Sequence, residues 1–191
     1  MSKNILSYVF LFSLWSIAGA GEYHVDKTKT NLVKFISDAP LEDFEGVTDN
    51  IDGYMFWEGD DTLGTNEIYF EVDLNTVDTG IGLRNRHMRE NYLHTDQHPK
   101  TYFKGKLDKI SSKEDGILNV IANGVMFIHG IEQKKSVEAQ FISQEAGYKI
   151  ITKFVVALPD YEIEVPQLMF MKINEEIQLE LEFYLKEIKE E

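Results

Sequence analysis

The sequence predicts an all-β fold of about eight antiparallel strands closed into a barrel, with one short helix near residues 82–93. Two observations predict it. Apolar and polar residues alternate along most of the chain, most regularly at the five apolar positions from Ile177 to Leu185. A period of two is typical of strands that bury one face. The stretch at 82–93 lacks this alternation and is rich in cations. Eight strands of this length close into a barrel that can hold one small ligand.

The first twenty residues are predicted to be a signal peptide. Lys3 precedes a mostly apolar run from Ile5 to Ile17, and Ala18-Gly19-Ala20 follows it with the small residues of a cleavage site. The run is too short to span a bilayer, so no stable membrane insertion is expected. We therefore expect a single barrel domain at residues 21–191, in a periplasmic or secreted protein.

Composition excludes several classes of protein. There is no cysteine, which rules out disulfides, thiolate metal sites and a cysteine nucleophile. The net charge of -14 argues against binding to nucleic acid, because phosphate contacts require a broad basic surface. The acidity by itself indicates solubility.

The predicted strands are short and separated by turn signals. Residues 58–64 form an acidic loop, and Asp115-Gly116 and Ala146-Gly147 are expected turns. Strands are predicted at residues 23–26, 31–38, 46–57, 67–74, 101–107, 118–123, 136–142, 148–158 and 177–186.

Apolar residues on the inward phase of these strands are candidates for lining a cavity, and the alternative is a filled core. Met88 and Tyr92, four positions apart in the predicted helix, are added to these candidates. The full set is Val33, Phe35, Trp57, Phe70, Val72, Met88, Tyr92, Phe103, Ile150, Phe154, Leu181 and Phe183.

All three arginines of the chain, Arg84, Arg86 and Arg89, lie in the predicted helix. A guanidinium group matches the geometry of an oxyanion, so this cluster predicts a site for a polar head group. Arg84, Asn85 and His87 are the candidate head-group residues. The alternative is a solvated helix face that pairs with nearby acids.

No catalytic or metal-binding motif stands out. The histidines His87, His94 and His98 lack the spacing of a zinc site, and we expect single hydrogen-bonding roles for them. The acids of residues 58–67 lack the spacing of a calcium loop. The sequence has no Gly-x-Ser-x-Gly and no P-loop. We therefore assign no catalytic residue and no metal ligand.

Several segments resemble the YceI family of exported, polyisoprenoid-binding bacterial proteins. Arg84-Asn85-x-His87-Met88 is similar to the family's Arg-Asp-x-His-Leu signature, with Asn85 in place of the usual Asp. The other similar segments are Tyr23-x-Val25-Asp26, Val72-x-Leu74, Val77-Asp78-Thr79-Gly80, Tyr92-Leu93, His98-Pro99-x-x-x-Phe103, Gly124 to Ile131 and Asp160-Tyr161-x-Ile163-x-x-Pro166.

The resemblance implies a lipocalin-like barrel that holds an isoprenoid chain, with a quinone or a prenyl pyrophosphate as the class of ligand. The expected function is a non-enzymatic carrier of an isoprenoid lipid or similar amphiphile, without a cofactor. Two alternatives stay open: an exported enzyme that uses His87 and Arg84, and an acidic module that binds a protein. A homodimer through a strand edge or an apolar patch is also left open.

Overall fold

The protein is a closed antiparallel β-barrel. The computed structural model describes residues 21–38, 43–57, 63–168 and 171–188. The predicted signal peptide and part of the acidic loop lie outside these residues. Within them, no helix has the length and apolar character to cross a bilayer.

The secondary structure is dominated by strands. They are β1 (Gly21–Val25), β2 (Leu32–Ser37), β3 (Phe44–Thr48), β4 (Ile51–Trp57), β5 (Glu67–Asp73), β6 (Lys100–Glu114), β7 (Ile117–Ile128), β8 (Ile131–Gln144), β9 (Gly147–Ala157), β10 (Gln167–Leu168), β11 (Met171–Lys172) and β12 (Glu176–Ile188). The helical segments are α1 (Gly82–His87), a π-helical turn that continues it (Met88–Tyr92), and two 3-10 turns (Leu74–Thr76 and Leu158–Tyr161).

Closure of the barrel depends on β12, which is paired along both edges. One edge pairs with β9. The other edge pairs with β2 and, further along, with β1, so these two short strands share one position in the barrel. β3 and β4 share the next position, because β3 pairs with β2 and β4 pairs with β1. With β5 to β9 and β12, the barrel has eight strand positions.

The break between β1 and β2 is bridged by the buried side chain of Asn31. Its Nδ2 donates to the backbone oxygen of Asp26 at 3.1 Å, and its Oδ1 accepts from the N–H of Tyr184 on β12 at 3.0 Å. Buried backbone groups must find partners. The amide therefore replaces ladder bonds that the chain loses at the break.

Two glycines allow β6 and β7 to approach closely. Gly105 and Gly124 are register partners. A Cβ on Gly105 would lie 2.4 Å from the backbone oxygen of Asn123, and one on Gly124 would lie 2.3 Å from that of Lys104. β6 also shifts register beyond this point. Glycines and bulges of this kind let a long hairpin bend around a barrel.

An aromatic ladder crosses the outer wall on β4 to β7. Successive ring centroids of Tyr54, Tyr69, Tyr102 and Phe127 lie 5.9, 5.6 and 4.7 Å apart. The hydroxyl of each tyrosine donates to a glutamate carboxylate. Cross-strand aromatic pairs of this type stabilise a sheet.

The structure confirms the predicted eight-stranded antiparallel barrel with one short helix. Several strands differ in length or number from the prediction. The strand predicted at 46–57 is broken after Thr48 into β3 and β4, and β7 and β8 are longer than the predicted 118–123 and 136–142. β6 extends past the predicted 101–107, because its second half pairs with β7 alone and is largely exposed, so it shows no apolar face. The short hairpin of β10 and β11 was not predicted from the sequence.

On the outer wall, Glu180 of β12 joins three neighbouring strands. Its carboxylate lies 2.7 Å from Nζ of Lys153 on β9 and 3.0 Å from Nζ of Lys34 on β2. The hydrogen bond from Lys153, followed in size by the one from Lys34, lowers the pKa of Glu180 from 4.5 to about 2.

We expect Glu180→Gln to have a melting temperature a few degrees below that of the wild type at pH 7. In acid the two melting temperatures should converge. Because the folded-state pKa lies below the unfolded value, the carboxylate stabilises the fold above about pH 4.5, and this contribution disappears as the pH falls toward 2. Thermal unfolding between pH 2 and 7 measures the difference. The exposed Asp108, changed to Asn, is the control. A deficit of Glu180→Gln that persists at pH 2 would contradict the prediction.

Candidate ligand-binding cavity

A cavity of about 580 Å³ lies inside the barrel. Its lining includes Ile51, Leu107 and Phe141 deep in the barrel, and Tyr92 and Ile163 near the end that carries α1. The cavity therefore runs along the barrel axis. Its volume falls in the range of sites for small molecules.

The two ends of the barrel differ. Two long connections, β5–β6 and β9–β12, lie at one end together with the two-residue turn β7–β8, and we call these three connections the rim. At the other end, short turns join β6 to β7 and β8 to β9. The rim residues that line the cavity place its mouth at this end.

Aromatic side chains fill the end opposite the rim. Trp57 is 1% exposed, and its ring packs against Phe141 and Tyr148 at centroid distances of 6.3 and 5.9 Å. Tyr23 contacts Tyr148 edge-on. These four rings form a plug, so the cavity opens at the rim.

The lining is almost entirely apolar. Among the described residues that line the cavity there is no carboxylate, and the side chains that can carry positive charge are Arg84 and His87. Thr101 and Thr152 also line it, but their hydroxyls donate to the backbone oxygens of Phe127 and Glu138 at 2.6 and 2.7 Å. The cavity therefore favours an apolar occupant with its polar end at the mouth.

Helix α1 forms one side of the mouth. The π-helical turn that continues it places the apolar Met88 and Tyr92 toward the cavity, while Arg86 of α1 is exposed. Ile81 and Leu83 line the mouth and are 52% and 55% exposed. These two side chains give the entrance an apolar lip.

Arg84 is the cation held at the mouth. Its Nη2 donates to the backbone oxygen of Thr79 at 2.7 Å, and its guanidinium carbon lies 4.8 Å from the centre of the Phe44 ring. A cation over an aromatic face is stabilised by the ring quadrupole. Its Nε is buried and has no hydrogen-bond partner. The guanidinium is thus fixed to the rim at the mouth of the cavity.

Asn85 lies behind the mouth and holds the turn before α1. Its Oδ1 accepts from the N–H and the hydroxyl of Thr79 at 2.8 and 2.6 Å, and its Nδ2 donates to Asp78 at 2.7 Å. The bond from Asn85, together with one from the N–H of Gly80, lowers the pKa of Asp78. Asn85 therefore fixes the backbone oxygen to which Arg84 is bonded.

A histidine pair joins the three connections of the rim. Nδ1 of His94 lies 2.7 Å from Nε2 of His129, whose Nδ1 lies 3.0 Å from the backbone oxygen of Tyr161. Because a carbonyl oxygen only accepts, Nδ1 of His129 donates to it, and in the neutral ring Nε2 of His129 then accepts from His94. The ring of His98 packs edge-on against His129. Within the described residues, no group of three or more potential ligands is arranged to hold a metal ion.

The structure places most of the predicted site residues around one cavity, although their contact with a ligand stays a prediction. Trp57 belongs to the plug and does not line the cavity, and Asn85 braces the mouth from behind. The predicted tail and head-group residues that do line it are Val33, Phe35, Phe70, Val72, Arg84, His87, Met88, Tyr92, Phe103, Ile150, Phe154, Leu181 and Phe183.

Sequence analysis missed several lining residues. Ser37 lies on the same inward-facing side of β2 as Val33 and Phe35. Its position in this alternation could have identified it as a lining residue. Tyr161 and Ile163 line the cavity from an irregular segment, where no periodicity points inward.

Comparison with known proteins agrees with this architecture. A family model of the YceI-like domain matches residues 23–185. This match spans most of the chain, so the protein belongs to the YceI family. No curated protein matches the chain by sequence.

Three solved structures share the fold. BcnA of Burkholderia cenocepacia has a TM-score of 0.67 at 15% identity and covers 83% of this chain and 98% of its own. A polyisoprenoid-binding domain from Saccharophagus degradans, implicated in plant cell wall breakdown, has a TM-score of 0.64 at 18% identity, with 87% and 98% covered. A Campylobacter jejuni YceI protein has a TM-score of 0.58 at 13% identity, with 76% and 85% covered.

We expect Asn85→Asp to lower the melting temperature, although Asp is the usual residue of the family signature. A carboxylate at this position cannot donate to Asp78 and would repel its negative charge. The double variant Asp78→Asn/Asn85→Asp exchanges donor and acceptor and should recover most of the loss. Melting temperatures of the wild type, both single variants and the double variant complete the cycle. A double variant no more stable than Asn85→Asp would contradict the prediction.

Proposed function

We propose that this protein is a non-enzymatic carrier that holds an isoprenoid lipid, of quinone or prenyl phosphate type, or a similar amphiphile inside the barrel. The observation that carries the proposal is the unfilled apolar cavity whose mouth, among the described residues, bears a cation. The resemblance in fold to a polyisoprenoid-binding domain supports the choice of ligand class.

Burial of the tail supplies the affinity. Each buried methylene contributes about 0.8 kcal/mol, so about ten carbons contribute roughly 8 kcal/mol before the cost of ordering the chain. Phe35, Phe70, Phe154 and Phe183 provide large apolar surfaces along the cavity. Strong polar contacts are therefore not required for binding, and the mouth sets orientation and selectivity.

Arg84 is the proposed contact for the polar end of the ligand. It lines the mouth and carries a permanent positive charge that can pair with an oxygen of the ligand. Asn85 acts indirectly, through the turn that holds Arg84. His87, which lines the mouth and is exposed, completes the polar edge.

Export to the periplasm or the cell exterior is part of the proposal. It is supported by the pattern of residues 1–20: Lys3, an apolar run and Ala18-Gly19-Ala20. An open cavity that solvates a tail is useful where lipids must cross an aqueous compartment.

The enzymatic alternative finds less support. His87 lines the mouth, but no Asp or Glu among the described residues lines the cavity to orient it as an acid or base. Arg84 is bonded to the rim, which suits a fixed donor. We therefore propose binding without turnover.

We expect protein purified from the cell envelope to release a long apolar compound on organic extraction, identified by mass spectrometry. Leu181→Trp should reduce this loading strongly without changing the far-ultraviolet circular dichroism, because a larger side chain on the cavity wall displaces the tail. Val155→Trp, at an exposed position of β9, is the matched control and should load normally. Wild-type protein that carries no lipid and takes up none from vesicles would refute the carrier function.

We expect Arg84→Ala to weaken an anionic prenyl ligand more than a neutral quinone of equal tail length. The difference should be about 1–3 kcal/mol, the value of a charge-assisted hydrogen bond. Titration calorimetry at low and high salt measures it, and Arg86→Ala, on the exposed face of the same helix, is the control. Equal losses for the two ligands would mean that Arg84 serves only to hold Thr79 and Phe44 in place.

A further inference from the structure

The two most exposed large apolar side chains in the described part of the chain lie two positions apart at the mouth. They are Ile81 and Leu83 of the apolar lip, at 52% and 55%, and the next most exposed, Ile188, lies at the opposite end of the barrel. Gly80 and Gly82 beside them have open space where a Cβ would be. The lip therefore projects into solvent. Because it also lines the cavity, its apolar surface continues into the barrel.

Positive charge follows the lip directly along the chain. All three arginines lie at 84–89, and no Asp or Glu occurs between Thr79 and Arg89. Arg84 is fixed at the mouth by its hydrogen bond to the rim, whereas the side chain of Arg86 is exposed. In a chain of net charge -14, this is the place that a negatively charged surface can approach.

Acids of the rim determine which side faces such a surface. Asp78 is held in the turn before α1 by a hydrogen bond from Asn85, and between Asp78 and Glu90 the three arginines still outnumber the acids. The β9–β12 connection carries three exposed acids, Asp160, Glu162 and Glu164. Charges more than about 10 Å away are largely screened at 0.1 M salt, so acids far along the barrel wall have little effect. The side with the lip and Arg86 is therefore the favourable one.

We infer that the apolar lip and Arg86 form a docking surface for an anionic lipid bilayer. Ile81 and Leu83 enter the head-group region, and the guanidinium of Arg86 pairs with lipid phosphates. Two aliphatic side chains and one exposed cation give a weak, reversible contact rather than stable insertion. The inference rests on the proposed carrier function, because the mouth then opens onto the leaflet that supplies the tail.

A bilayer fits this surface better than a partner protein does. A specific protein interface buries about 800 Å² on each partner, far more than two aliphatic side chains and an arginine provide. A bilayer requires no complementary shape, and apolar side chains beside cations are typical of proteins that bind at its surface. A protein seated on the lip would also cover the entrance, whereas a leaflet brings lipid tails directly to it.

The test measures binding of the full mature protein to vesicles by flotation. Vesicles of phosphatidylethanolamine and phosphatidylglycerol are compared with neutral phosphatidylcholine vesicles, at low and high salt. We expect Ile81→Ser/Leu83→Ser to weaken binding to the anionic vesicles about 5- to 20-fold, because the apolar contact is lost. Arg86→Gln should weaken it about fivefold at low salt, and the loss should shrink at high salt and on neutral vesicles.

The double variant Val155→Ser/Ile188→Ser is the matched control. It removes two exposed apolar side chains from the outer wall and from the end opposite the rim, so it should bind vesicles like the wild type. Because all the substituted positions are exposed, the variants should keep the melting temperature of the wild type to within a few degrees. Equal binding by the lip variant and the wild type, or an equal loss in the control, would overturn the docking surface.

Uptake of menaquinone-4 from detergent micelles tests the carrier function without a bilayer. A wild type that loads from micelles but does not float with anionic vesicles would overturn the docking surface and leave the carrier function intact. A wild type that floats with vesicles but loads from neither source would refute the carrier function and support the docking surface. Flotation only with native envelope membranes, abolished by proteolysis of those membranes, would assign the lip to a protein partner and overturn the inference.

Discussion

The pairing of β12 along both edges is the interaction on which the molecule depends. Because β12 closes the sheet onto β1 and β2, backbone groups of the wall find partners within the wall itself. Where the ladder breaks, buried amides take over. Asn31 bridges to β12, and Asn66 bonds both backbone groups of Leu107. A wall that is held by hydrogen bonds and packing, without disulfides, can enclose space that side chains do not fill.

The unfilled interior divides the stabilising contacts of the protein between its plug and its wall. At the plug, Trp57 and its aromatic neighbours belong to a buried apolar cluster that continues along the inner wall. The outer surface adds the tyrosine ladder and the ion pairs of Glu180. At the rim, the pair formed by His94 and His129 fixes the connections around the mouth. Many side chains of the buried apolar clusters, including Ile51 and Phe183, also line the cavity, so the same layer stabilises the fold and shapes the interior.

The alternation of apolar and polar residues was enough to predict the fold, but it predicted the residues of the candidate site only in part. Alternation identifies which residues face inward, and nine of the ten tail residues predicted on strands do line the cavity. Alternation does not show how far along the barrel axis a residue lies. Trp57 faces inward and was therefore predicted to line the cavity, but it lies in the plug. Contacts between distant segments leave no periodic signal. His94 and His129 are 35 residues apart, and the role of Asn85 became apparent only from its bonds to the turn.

The plug has a consequence for how fast a carrier of this design could exchange its cargo. If the opening at the rim that the described residues form serves as both entrance and exit, a resident molecule must leave before another can enter. The rate at which one bound molecule replaces another is then limited by dissociation of the first. A higher concentration of competitor raises the exchange rate only until dissociation becomes the slow step. A longer tail, which must be withdrawn past Tyr92 and Ile163 along the full depth of the interior, lengthens the residence time. The closed floor thus makes retention a function of tail length, independent of what waits outside.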